Sequence, residues 1–226
     1  MTNNKKTEYD KVMSFQFEDL PIRGRICQMT NSLNKIIFQH SYPDEISKIL
    51  GETMVLNVLM ANSIKLKHKL SLQVHGNKEL KLIASDYIIP KKSKTISLIR
   101  GYAKFNRELN FYANRFKDLL GNGYFAAILD QGDGNLPYKG ISSLNEYSLT
   151  NSAEEFFKNS EQLDTKFNVL IKKTVKKKEK VIFKGIGIML QLLPQDKKSI
   201  DINNNKQKMN ELSNLVKEKI FNNIDE

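Results

Sequence analysis

From Pro43 to about Ile64 the apolar residues Ile46, Ile49, Leu50, Val55, Leu56, Leu59, Met60 and Ile64 recur at helical spacing and cover a wide stripe. Pro43 suits a first helical turn, where its missing N–H is no loss, and Gly51 and Ala61 let neighbours come close. The spacing predicts a buried central helix packed on a sheet, with its methionines serving as packing. Whatever else the chain does, it must build strands around that helix.

Strand signals lie on both sides of it. VMSFQFE (Val12 to Glu18) and IRGRICQM (Ile22 to Met29) alternate apolar and polar residues around Leu20-Pro21, and Thr30 or Asn31 can cap a short helix through Leu33, Ile36 and Ile37. KLSLQVHG, LKLIASDYI and TISLIRGYAKF follow as a three-stranded meander with turns at Gly76-Asn77 and Pro90 to Lys94. Arg107 to Leu120 reads as a helix or an irregular segment. Gly121 to Gly123 ends it and opens the apolar strand GYFAAILDQ; QGDGNLPYKG is then a loop, closed by a short strand at Ile141 to Leu144. Ser152 to Ser160 is helical with Ala153, Phe156 and Phe157 packed, and two last strands form a hairpin turning within Lys176 to Lys180.

Composition narrows the class. One cysteine, Cys27, in 226 residues excludes an intramolecular disulfide framework and any Cys-rich zinc arrangement, which predicts a cytoplasmic protein. No apolar run approaches the roughly 18 residues of a membrane span, and Met1 to Asp10 lacks a signal-peptide pattern, so no membrane partner is expected. The net charge of +11 is concentrated: eleven Lys or Arg stand against Glu79 and Asp86 between Lys65 and Arg107, and seven Lys against Glu179 between Lys166 and Lys180. Two basic patches can steer anionic partners, which keeps an RNA-binding or ribosome-associated domain as the alternative function. The excess of Lys over Arg speaks against it, because bidentate phosphate and base contacts need Arg.

No catalytic constellation is present, and the chain is not expected to be an enzyme. His40, His68 and His75 have no spaced acid partners; an odd separation places His68 and His75 on opposite faces of a continuous strand, against a shared metal. Gly132 and Gly134 read as turn residues. Cys27 sits in an alternating strand as an unreactive thiol, with Arg23 and Arg25 on its face as the one feature that would activate it.

Several stretches together resemble the redox-regulated 33 kDa heat-shock chaperone family: IRGRICQM, SYPDEISKILGETMVLNVLMANSIK, LIRGYAKF, LGNGYFAAILDQGDGNLPYKGISSL, SEQLDT and GIGIMLQLLPQ, in family order over about residues 12 to 195. The resemblance implies an α/β fold, here a single mixed-sheet N-terminal domain over residues 10–195. It also implies ATP-independent holdase action on unfolded or partly folded client proteins, with a homodimer as an admissible assembly. Family members carry four cysteines near the C-terminus that bind zinc when reduced and form disulfides when oxidised. No cysteine follows Cys27 here, so no zinc or other cofactor is expected.

Residues 196–226 read instead as a polar linker and an amphipathic helix with Met209, Leu212, Leu215, Val216, Ile220, Phe221 and Ile224 on one side. Two readings of it stand: a movable cover over a client surface, or a permanently packed helix. The candidate surface and lid comprise Phe183, Ile186, Ile188 and Leu190, or their opposite-face neighbours, with Met209, Leu212, Val216 and Ile220.

Overall fold

The computed structural model describes residues 10–91, 97–106, 116–132, 134–145, 148–176, 180–194 and 202–222. The α/β class holds, but the strands do not share one mixed sheet; they divide into two sheets, each antiparallel throughout. β1 (Lys11–Gln16), β2 (Ile22–Met29), β8 (Thr165–Lys176) and β9 (Lys180–Leu192) form a four-stranded sheet in the order β1-β2-β9-β8. β3 (Lys69–Gly76), β4 (Leu80–Ile88), β5 (Leu98–Phe105), β6 (Gly123–Asp130) and β7 (Tyr138–Ser143) form a second in the order β5-β4-β3-β6-β7.

The two sheets enclose α2 (Asp44–Ser63), which touches β2, β8 and β9 on one side and β3, β4 and β5 on the other. That placement explains its broad stripe: Ile46, Leu50, Met54, Val55, Leu56 and Leu59 are all fully buried. Close approach to β9 depends on glycine, because a Cβ at Gly187 would stand 2.4 Å from Val55 Cγ1 and 2.9 Å from Leu59 Cδ1. Asn57 is polar on this helix yet buried. Its amide donates to the Ser85 carbonyl at 2.7 Å and the Ser85 hydroxyl at 3.1 Å, which offsets its desolvation.

The smaller helices attach at the margins. α1 (Asn31–Ile37) begins after Thr30, but the Thr30 side chain makes no capping hydrogen bond. Asp10 supplies the cap from twenty residues upstream: its Oδ1 accepts from the Thr30 N–H at 2.7 Å and the Asn31 N–H at 2.9 Å, and its Oδ2 from the Ser32 N–H at 2.9 Å. α3 (Phe116–Leu120) covers the end of the segment read as helix or irregular, whose residues 107–115 lie outside the described ones. α4 (Leu149–Phe156) starts earlier than the sequence spacing predicts, because Ser148 caps it by accepting the Asn151 N–H at 3.1 Å; a π-helical turn over Phe157–Glu161 completes it. α5 (Ile202–Asn222) takes in 202–205, which read as linker, while 196–201 and the tip of the last hairpin at 177–179 lie outside the described residues.

Candidate functional site

The four-stranded sheet has two apolar faces, a consequence of period-two alternation in β2 and β9. Odd-numbered residues of β9 (Phe183, Gly185, Gly187, Met189) turn toward α1 and α2, whereas Ile188, Leu190 and Leu192 turn to the opposite face. α5 lies across that second face. Met209 is buried there in one cluster with Ile22, Ile188, Leu190 and Leu192, and Leu212, Val216, Phe15, Phe17, Leu20 and Ile26 pack around it half-buried. Polar contacts fix the helix along one flank. The Asn168 amide donates to the Ser213 hydroxyl at 2.7 Å and the Ser213 carbonyl at 3.1 Å, and Lys206 pairs with Asp164 at 3.0 Å.

Five of the eight residues named from the sequence thus meet: Ile188, Leu190, Met209, Leu212 and Val216. Phe183 does not join them. It belongs to the main core, its backbone N–H held by Asn34 Oδ1 at 2.8 Å and its ring 6.1 Å from that of Phe38, because an odd position cannot share a strand face with Ile186, Ile188 and Leu190. Ile186 is half-buried and lies outside the cluster beneath α5, and the Ile220 side chain is beyond the described ones. Sequence reasoning missed Phe15, Phe17, Ile22 and Ile26, although their alternation in the first two strands placed them on one face.

A second feature was not foreseen. Next to this apolar seam lies a polar cavity of about 650 Å³, bounded by Glu52 of α2, Thr150 and Glu154 of α4, Lys166 and Asn168 of β8, and Asn210, Ser213, Asn214 and Lys217 of α5. Glu52 is half-buried, and its carboxyl accepts from the Thr150 backbone N–H; removal from bulk water pushes it up to about 7 despite that hydrogen bond. Lys166 pairs with Glu154 at 2.8 Å. An acid in the middle of an apolar helix, beyond the Asp44 and Glu45 of its first turn, was the available sequence signal.

The remaining candidates are inert or structural. Cys27 is fully buried and burial, aided by the Asp10 charge, pushes its thiol up to about 12; Arg23 shares its face but donates from Nε to Gln191 Oε1 at 2.8 Å. His75 stacks on Tyr124 with ring centroids 4.4 Å apart, and His68 lies 3.7 Å from Asp130. Among the described residues no three His, Cys, Asp or Glu side chains gather in a way that could hold a metal ion, and no helix is long and apolar enough to cross a membrane. Within the second basic patch Lys166 and Lys173 are engaged by Glu154 and Asp44, which removes two of its charges from the surface available to an anion.

A family model described as Hsp33 protein matches residues 10–226. The 33 kDa chaperonin of Caulobacter vibrioides is 29% identical over 193 residues, 83% of this chain and 62% of that protein. That of Methylobacillus flagellatus is 35% identical over 159 residues, 70% of this chain and 51% of that protein. The crystal structure of a 33 kDa chaperonin (heat shock protein 33 homolog) from Thermotoga maritima superposes with a TM-score of 0.66 at 17% identity, covering 87% of this chain and 66% of that one. The chain therefore spans less than two thirds of the length of these curated relatives.

Proposed function

Since the chain belongs to the Hsp33 protein family, we propose that it is an ATP-independent holdase of the cytoplasm, not an enzyme, that binds unfolded proteins on the outer face of its four-stranded sheet and regulates access with α5. The observation that carries this reading is the separate apolar cluster beneath α5. Ile22, Ile188, Leu190 and Leu192 belong to a cluster separate from the core around α2, yet each is apolar, and α5, together with Phe15, Phe17 and Leu20, is what shields them. An apolar sheet face with a polar rim, once uncovered, presents to an unfolded chain the kind of surface its own core would have given it.

The residues present do not fit the zinc that the family resemblance implies. A structural zinc needs four donors of the Cys and His type held within about 2.3 Å of the ion. The one thiol of this sequence is buried in β2 opposite Val12 and Gly187, with its proton held tightly. We therefore assign this chain a mode of action without zinc and without an oxidant.

Light scattering of a thermally unfolded client, in the absence of ATP and with or without peroxide, tests the reading. Suppression of aggregation to the same degree in both conditions is expected. No suppression in either removes the holdase; suppression that requires peroxide assigns the control to oxidation of Cys27 or methionine instead.

A further inference from the structure

The open polar groove runs along a strand edge, and we propose that this edge, the outer side of β8, takes up one extended segment of an unfolded chain as an added strand. The site is distinct from the apolar face beneath α5 and needs no movement of that helix. That the segment belongs to an unfolded chain rests on the holdase reading.

β8 ends its sheet, and among the described residues its one strand neighbour is β9. Two hydrogen bonds fix which way its backbone points. The Leu192 N–H donates to the Asp164 carbonyl at 2.9 Å, so even-numbered residues of this segment turn their backbone groups to β9. The Phe167 N–H points the other way and donates to Glu154 Oε1 at 3.0 Å. By antiparallel alternation Val169 and Ile171 also turn N–H and C=O away from β9, while their side chains pack on the core around α2. Glu154 thus answers the first edge donor. Among the described residues no strand or side chain answers Val169, whose half-buried backbone borders the groove. An edge N–H and C=O held at strand spacing are a template for another extended chain.

The walls decide what fits. α2 and α4 stand on one side with Glu52 and Thr150, and α5 stands on the other with Asn214 and Lys217, around about 650 Å³. A strand laid against β8 points successive side chains to opposite walls. It meets Glu52 with one residue and Lys217, exposed at the rim, with a residue of the other parity, and among the described residues neither charge has an ion-pair partner. The matching segment therefore carries a basic residue beside an acidic one. The rest of the lining is mostly amide and hydroxyl, which supplies hydrogen bonds without demanding a particular side chain. A second copy of this protein is a poor occupant. Its own β8 edge lies between the same two walls, so the α4 and α5 helices of two copies would meet before their strands did. A single extended chain brings no such walls.

The probe is a fluorescein-labelled peptide of about eight residues, alternating Thr and Val around a central Lys-Glu pair. Its anisotropy is titrated with the full chain at about pH 8, where the Glu52 carboxyl is ionised. Methylating the backbone nitrogens of one parity in the peptide is expected to weaken binding at least about fivefold, and those of the other parity less than about twofold, because one set of N–H groups faces β8. Glu52→Gln, or Gln in place of the peptide's Lys, is expected to cost about two- to fivefold, and the second change adds nothing once the first is made. Amide exchange in the unaltered protein locates the peptide without any substitution: the Val169 N–H is expected to slow at least about tenfold at saturation. No binding, equal losses for both parities, or binding that leaves Val169 exchange unchanged overturns the proposal. Protection of Val169 that grows with protein concentration in the absence of peptide assigns the edge to a second copy and overturns it too. Client suppression is read separately. Peptide uptake without suppression keeps the edge site and removes the holdase, and suppression without uptake does the reverse.

Discussion

Met209→Ala is the most decisive change the structure offers. The side chain is 1% exposed and packs against Ile22, Ile188, Leu190 and Leu192, in a cluster distinct from the main core that surrounds α2. Truncating a buried methionine to alanine costs about 2–5 kcal/mol, and a helix–sheet seam that can partly collapse places this site toward the low end, about 2–3 kcal/mol. Expressed as an equilibrium between docked and released α5, that is about 30- to 150-fold toward release. Because Met209 makes no contribution to the main core, the loss falls on helix docking and leaves the folding of the two sheets nearly untouched. Binding of an apolar dye at 25 °C is expected to increase severalfold and client suppression to rise with it, while the circular dichroism melt of the strands stays within a few degrees of the parent. A single cooperative melt shifted down by the whole penalty, with no new dye binding, would show that α5 is an integral part of the fold and would refute the lid.

Cys27→Ser places a hydroxyl where burial holds a thiol at about 12, and is expected to lower stability by about 1–3 kcal/mol while leaving client suppression unchanged with and without peroxide. In the unaltered protein the folded state keeps the thiol proton that an unfolded chain loses near 9, so stability contributed by this group declines from about pH 9 upward, and alkylation by iodoacetamide at pH 8.5 should require unfolding. Asp10→Ala removes the carboxylate that accepts three N–H groups at the start of α1; a loss of about 0.5–2 kcal/mol is expected in urea unfolding, and a change below the error of that measurement would mean that water replaces the cap without cost.

The central helix was legible because its apolar residues leave no wide polar face, and that pattern has few solutions outside a buried position. The strands were legible from alternation, but alternation does not say which strand lies beside which. The β2–β9 pairing joins Arg23 and Gln191, 168 positions apart, and no local signal in either segment reports the other. The same limit hid the Asp10 cap, whose sequence neighbours say nothing of the helix start that it serves. Beneath α5, the spacing of Met209, Leu212 and Val216 gave the helix stripe correctly, while Phe183 was grouped with residues of the opposite parity. Glu52 escaped notice because its surroundings come from three other elements, α4, β8 and α5, brought together only by the fold.

The four-stranded sheet takes β1 and β2 from one end of the described chain and β8 and β9 from the other, with the whole five-stranded sheet encoded between them. During synthesis the early pair therefore waits. Until residues 180–192 have left the ribosome, β2 has β1 as its one neighbour, its other edge unpaired and both its faces wet. Bringing the ends together across 168 residues costs on the order of 4–5 kcal/mol in loop entropy, met only when the late hairpin arrives. The outer sheet face, the one proposed to take clients, thus does not exist until the hairpin that carries half of it has been made.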